Sequence, residues 1–498
     1  MSTKFTRRRF LTAVSAGATW IALTSAPGCK PAERATKSTP SATASSTTPQ
    51  GAWLFRTRPD LSPPAVDVTT EAHDTAPGYI FAAPDNSGAM IVDNSGQVVW
   101  FRPLHNAMDF KVQNYRGSPV LTYEEHVYGG EQGYVILDDS YREIARVRAG
   151  NGYRGDHHEF LITPEDTALI TIYDEVPMDL SPIGGREDDV VRQGIVQELD
   201  IETGGVLFEW HSLEHVGLEE TYVKPSENLK QAFDYFHLNS IDIDRDGNLL
   251  VSARLTLAVY KVDRKSGEVI WRLGGKKSDF EMGEGARFSY QHDARRQPDG
   301  TISIFDNGNT VFKNGNGRPR AVEESRGIVL ELDEERMSAS LVREYTHPDK
   351  QFAHASGNMQ VLPNDNVFVG WGRALANSEF SQDGKLLFSA SLPPKNGTYR
   401  AFRFPWSGYP SDRPAAVAER TSEDEVRVYA SWNGATEVES WEVLAGPGRD
   451  QLKSIGSAPR DGFETAIEVR TAEPLIDVRA KDHAGSVLGT AKAVQPRN

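Results

Sequence analysis

The chain of 498 residues has one cysteine, Cys29. No intramolecular disulfide can staple it, so its stability must come from packing. It also lacks an apolar run long enough to span a bilayer. The most hydrophobic stretch, Leu11 to Ala26, is about 16 mostly small residues, against roughly 20 for a membrane helix. Positive charge is scarce: 54 Lys and Arg stand against 70 Asp and Glu, a formal net charge of −16, which argues against nucleic acid as a partner. No long segment repeats its apolar residues at a 3.6-residue interval, which disfavours a sheet of alternating strands and helices. What is present is glycine (43) and proline (28) between short apolar segments, a pattern of β-structure with many turns.

Residues 1–28 read as an export leader. Thr6-Arg7-Arg8-Arg9-Phe10-Leu11 matches the twin-arginine pattern, and the short apolar run follows it. Removing this leader, with Lys4, Arg7, Arg8 and Arg9 and no acids, takes the net charge from −16 to −20. Ser25-Ala26-Pro27-Gly28-Cys29 has the form of a lipoprotein cleavage site, so Cys29 is the candidate for lipidation and the one expected membrane contact. The expected location is periplasmic or at the cell surface. Residues 29–50, rich in Ser, Thr, Pro and Ala, read as a flexible tether.

Two phrases repeat along the body. An acidic turn followed by alternating apolar residues begins at Asp93, Asp138, Asp200, Asp263, Asp333 and Ser381, at intervals of 45 to 70 residues. In several copies the phrase ends in tryptophan, as in DNSGQVVW and DRKSGEVIWRL. Intervals of that size suit four-stranded units carrying loop insertions, and six copies predict six units. The reading is an all-β chain: a six-bladed β-propeller over residues 51–410, followed over 411–498 by a small Ig- or fibronectin-like β-sandwich. Trp100, Trp210 and Trp271 are expected to pack between neighbouring units, and Pro405 to Pro414 is expected to be a hinge.

The second phrase opens on histidine and leads through a turn into an apolar run. Its copies begin at His158, His237, His292 and His354. A side chain recurring at one place in a radially repeated unit recurs at one place in space, so these imidazoles are expected to gather near a common axis. His157 and Glu159 flank His158, and strand alternation predicts that one member of the His157–His158 pair points away from that axis. Converging histidines also suit a transition metal, but the short-range spacing of a dedicated site is missing, so no metal and no cofactor is assigned. Asp242, Asp244 and Asp246 are explained as turn formers without calcium. A quinone-dependent dehydrogenase is disfavoured, because such propellers have more blades and a more regular tryptophan repeat.

These motifs resemble the arylsulfotransferase family, particularly its secreted branch. The resemblance runs from about Gly78 to Pro410 and is carried by GYIFAAP, FKVQNYRGSPVLTY, HHEFLITPEDTALITIY, FHLNSIDIDRDGNLLVSAR, WRLGGKKSDF, QHDAR, FDNG and GWG. It implies a six-bladed propeller that moves a sulfuryl group from an aryl sulfate ester to a phenolic acceptor through a sulfohistidine. That chemistry needs a neutral imidazole nucleophile, cationic or hydrogen-bonding groups on the sulfuryl oxygens, and an acid for the leaving phenolate.

Carried over by position, the resemblance makes His237, His292 and Arg318 the catalytic candidates, with Arg320 or Arg326 as alternatives to Arg318; His354, a histidine of the repeat at the entrance to the last such unit, is a fourth candidate, as a substitute for a histidine that the family carries further on. Substrate contacts are expected from His158, Asn239, Arg254, Asp293, Asn307, Arg320 and Trp371, with Asp293 orienting His292 or a neighbouring backbone turn. One departure stands out. The studied branch has a histidine a few residues after its GWG turn, and here the stretch Gly370 to Glu379 contains none. A non-catalytic surface propeller that binds aromatic or sulfated ligands is therefore the alternative.

Overall fold

A computed structural model describes residues 46–47, 51–125, 133–225, 231–308 and 324–497, all within the unit Thr43–Asn498. The leader, Cys29, Arg318 and Arg320 lie outside the described residues. Strand makes up 51% of the structure and helix 4%, so the chain is nearly all-β. No described helix is long and apolar enough to cross a membrane.

Among the described residues, six antiparallel sheets follow one another along the chain. Their first, innermost strands are Ala107–Tyr115, Gly155–Ile162, Leu238–Ile243, His292–Arg296, Asn358–Val361 and Thr398–Phe404. In sheets one to five the next three strands follow in sequence order. Sheet six combines Thr398–Phe404 with three strands from the start of the fold, Tyr79–Pro84, Gly88–Val92 and Val98–Pro103. Each inner strand lies against the next, and the sixth meets the first, so the six form a closed ring. Pairing N-terminal strands with a C-terminal one closes that ring without leaving an inner edge.

The six acidic phrases all fall at the turn between the third and fourth strands of a sheet. In five of them the aspartate caps the turn with its own carboxylate, and in the sixth the Ser381 hydroxyl accepts from the Lys385 amide. Asp93 accepts from the amides of Ser95 and Gln97, and Asp263 from those of Lys265 and Ser266. The tryptophan of the fourth strand then reaches the corresponding turn of the next sheet. Trp100 stacks on Tyr141 at 4.9 Å, Trp210 donates to the Gly267 carbonyl at 3.0 Å, and Trp271 donates to Glu334 at 3.2 Å. The repeated phrase is thus a turn cap plus a lateral tie to the neighbouring sheet. Among the Asp242, Asp244 and Asp246 carboxylates, Asp244 pairs with Arg296 and Lys261, and Asp246 with Lys261.

Inner strands are tied by side chains that replace missing ladder bonds. Asn358 exchanges two hydrogen bonds with the Ala401 backbone, Gln360 does the same with Arg403, and Asn239 donates to the Gln291 carbonyl. Five of the six inner strands slip register against their second strands, at Met108/Lys111, Asp156/Phe160, Leu238/Ser240, His292/Arg295 and Thr398/Ala401. Asp109, His237 and Asp293 take left-handed backbone at these places (φ 53°, 56° and 56°). Such bulges re-aim side chains that regular alternation would send elsewhere.

What they aim inward is charge. Lys111 bonds Asp109 and Glu159, both at 2.7 Å. Arg400 bonds Asp109 at 3.0 Å and Glu159 at 3.1 Å, and its other nitrogen donates to the Asn239 carbonyl. Arg295 pairs with Glu159 and with Asp293, which also accepts from the Met359 amide. All six inner strands contribute to this buried network. Burial opposes ionisation of Glu159, but Arg295, Arg400 and Lys111 outweigh it and hold the carboxyl well below its usual range.

The last residues form two further sheets, of three and four strands, between Ala415 and Thr490. They share a core of Val428, Ala430, Trp441, Val443, Ile467, Ile476 and Val478. The segment expected as a hinge is anchored instead. Trp406 is buried and donates to Tyr141 Oη, whose own hydroxyl donates to the Gly434 carbonyl, and Gly408 and Tyr409 are held by Thr436 and Asp139.

Glu159 accepts from three cations, so Glu159→Gln leaves buried positive charge uncompensated. It is expected to lower unfolding stability by about 3–5 kcal/mol. Urea titration of both forms measures this, and a loss below about 1 kcal/mol, the range of an exposed pair, would contradict the network's role.

Candidate functional site

Above the ion network, at the N-terminal ends of the inner strands, aromatic and imidazole rings converge. The bulge in the second inner strand turns His157 and His158 to the same side, where their rings stack at 4.2 Å. This corrects the expectation from alternation, and Glu159, the next residue, also points to the axis. His237 meets His158 edge to face at 5.1 Å. Tyr399, from the sixth inner strand, lies 5.5, 5.3 and 6.3 Å from His157, His158 and His292, and its hydroxyl donates to the Asn239 carbonyl. Tyr173 contacts both His158 and His237.

Two of these histidines are paired with carboxylates. His237 Nδ1 lies 2.6 Å from Asp234, and His158 Nδ1 bonds Asp156. A carboxylate only accepts, so in each pair Nδ1–H donates and the Nε2 lone pair is left available. Burial pushes His158 down to about 4 despite the favourable charge of Asp156, so the ring is neutral near pH 7. Burial opposes ionisation of Asp156, but the two histidines outweigh it and hold the carboxyl below its usual range, with the Nδ1–H and backbone amide of His158 both donating to it. His237 is partly open to solvent, with 23% of its side chain exposed, whereas His158 has 9%.

His292 differs. Its Nδ1 bonds Asn307 Oδ1 at 2.7 Å and its Nε2 accepts from the Ser356 amide at 3.3 Å. Burial, reinforced by the charge of Arg254, pushes its pKa well below the ordinary value. With both nitrogens occupied, it is placed to hold the loop before the fifth inner strand. Asn307 fixes that ring and donates to the Ala353 and Ser356 carbonyls. His354 lies exposed on this loop, and its carbonyl accepts from Arg254 at 3.1 Å.

Arg254 follows the second strand of sheet three. Its guanidinium lies over Tyr290 at 4.8 Å, and its amide donates to the His237 carbonyl. Burial lowers its pKa against the partial compensation of Tyr290 and Asp234, and among the described residues no carboxylate lies at ion-pair distance from it. It is therefore a cation held beside the histidines by aromatic and carbonyl contacts, a suitable partner for an anion.

The other expected residues fall elsewhere. Asp293 does not reach His292; it belongs to the ion network with Arg295 and Arg400. Asn239 is fully buried and ties inner strands together. Trp371, expected against the substrate, is buried among Phe305, His347 and Phe380 and donates to Ser378. Arg326 forms a buried pair with Asp306 at 3.0 Å, away from the imidazoles. Sequence reasoning missed Asp156, Asp234, Tyr173 and Tyr399. The signal for the two acids was a carboxylate two or three residues before a histidine.

A match to the arylsulfotransferase (ASST) family spans residues 111–392, more than half of the chain. The chain belongs to the arylsulfotransferase family. No curated protein matches it. Solved structures resemble it distantly. A protein of unknown function from Bacteroides caccae is 13% identical, covers 66% of this chain and 98% of its own, and has a TM-score of 0.38. Hydrazine synthase from Kuenenia stuttgartiensis is 13% identical over 62% of this chain and 80% of its own, with a TM-score of 0.33. Virginiamycin B lyase from Staphylococcus aureus is 9% identical over 66% and 92%, with a TM-score of 0.29. At these scores none of the three bears on what this arylsulfotransferase-family chain does.

At the opposite ends of the inner strands a cavity of about 260 Å³ is lined by Asp242, Arg295, Met359, Phe402 and others. Burial lifts the Asp242 carboxyl to about 6, against the partial compensation of Arg295. A raised folded-state value means that the folded chain holds a proton the unfolded chain releases. The stability this group contributes is present below about pH 4 and is lost as pH rises through about 6. Asp242→Asn should therefore melt with wild type below about pH 4 and above it near pH 8, the gap opening across that window. Identical melting curves at both pH values would contradict the assignment. Trp371→Phe should lower stability while leaving KM for an aryl sulfate unchanged; a raised KM with unchanged stability would restore the stacking role.

Proposed function

We propose that this chain is an exported aryl-sulfate sulfotransferase that uses His237 as its nucleophile. One observation carries the reading: a solvent-reachable imidazole whose Nδ1 is held by a carboxylate, beside a cation with no carboxylate partner among the described residues. In this scheme Arg254 binds the sulfuryl oxygens and His237 Nε2 attacks sulfur. The bond from sulfur to the aryl oxygen breaks, and the phenolate leaves and takes a proton from water. Asp234 stabilises the cationic ring that forms, as the carboxylate does in other His–Asp pairs. A phenolic acceptor, losing its proton as it attacks, then takes the sulfuryl group and restores the neutral imidazole.

His158 and Tyr399 would form the aryl-facing wall, and His292 would position the loop carrying His354 and Ser356. The His237–Asp234 pair would supply the nucleophile that the stretch after Gly370-Trp371-Gly372 does not. The ring of six sheets supports a six-bladed propeller, and the two last sheets with their common core support an Ig-like sandwich. Twin-arginine export and a lipid anchor on Cys29 belong to the same proposal.

With a chromogenic aryl sulfate and a phenol acceptor, Asp234→Asn should lower kcat by about 10²–10⁴-fold. Arg254→Ala should lower it by about 10²–10³-fold, and His237→Ala should leave no enzymatic rate above background. Equal rates in wild type and His237→Ala would end the proposal.

A further inference from the structure

Regular alternation would send neighbouring residues of the second inner strand to opposite faces, but this strand does not alternate. Its register slips between Asp156 and Phe160. Three consecutive residues, Asp156, His157 and His158, consequently present ligand atoms that all lie within 4.8 Å of one another. Two imidazoles and one carboxylate are the donor set of an open transition-metal site, in which three protein ligands leave further positions for water or an anion. Zinc takes such nitrogen and oxygen ligands at roughly 2.0–2.2 Å, so three donors this close to one another can share one ion.

From this geometry we infer that Asp156, His157 and His158 bind a divalent transition metal of the zinc class, with His237 and Arg254 facing its open side. His157 is one-third exposed, so an ion can reach the site from solvent. Tyr173 and Tyr399 pack edge to face on the His158 ring, which lowers the cost of ordering that ligand. Seating an ion on Nδ1 of His158 requires only that the neutral ring carry its proton on Nε2 instead. The inference goes beyond sulfuryl transfer. A bound cation adjacent to Arg254 would add a second positive centre for an anionic ester.

The test uses the purified full chain after dialysis against a chelator. Zn²⁺ is titrated in by calorimetry, and Co²⁺ is followed by its visible absorption. One ion per chain is expected, with affinity reduced about tenfold or more in His157→Ala and in His157→Gln, each confirmed as folded by thermal melting. Absence of binding, or unchanged affinity in both variants, would overturn the site. Aryl sulfate turnover is measured on the same samples. Turnover by a chain that binds no ion would sink the metal site alone, whereas ion binding without turnover would uphold the site and count against the transferase reading.

Discussion

A buried network of opposite charges at the axis governs the rest of the structure. Glu159 is its hub, receiving Lys111, Arg295 and Arg400 from three other strands of the ring. Burying so many ions is costly, and hydrophobic side chains of equal volume would hold the strands together at least as well. What charge adds is register. A one-residue slip in any inner strand would strand a charge without its partner, so the network admits one arrangement of the six strands.

The same bulges that turn these charges inward also create the site above them. In the second inner strand a single slip delivers Asp156, His157 and His158 to one face and Glu159 to the axis. In the third, left-handed backbone at His237 directs that ring toward His158, and Asp234 three residues earlier holds it. Catalytic geometry and axial packing are therefore not separable here. A change in the ion network would be felt in the imidazole spacing before it was felt in the outer sheets, where turn caps and tryptophan ties act locally.

Much of the periphery was legible in the sequence. Each acidic phrase marked the same turn of a sheet, because a side-chain oxygen at its first residue, a carboxylate in five copies and the Ser381 hydroxyl in the sixth, caps that turn wherever it occurs. Trp100, Trp210 and Trp271 were legible for a similar reason: each lies on the strand that follows its turn, seven to ten residues after the aspartate, and meets the next turn. Of the four histidines expected to gather, His158 and His237 meet and His292 adjoins Tyr399, which packs on His158, whereas His354 is exposed on its loop. The bulges were not legible, since register depends on the partner strand and leaves no local pattern. That is why the inward turn of His157 and the pairing of Asp293 with Arg295 leave no mark in the sequence, and why Lys111 and Arg400 passed unnoticed. Trp371 misled because a tryptophan at a strand end looks alike whether it faces a channel or fills the gap beside Phe305.

The central claim is that sulfur is transferred through His237. Brief exposure of the protein to an aryl sulfate at neutral pH, followed by proteolysis and tandem mass spectrometry, places any sulfuryl adduct on a single residue. The account predicts it on His237, with none in the Asp234→Asn protein on the same time scale. An adduct on another residue, or turnover with no histidine adduct at any time, would contradict it.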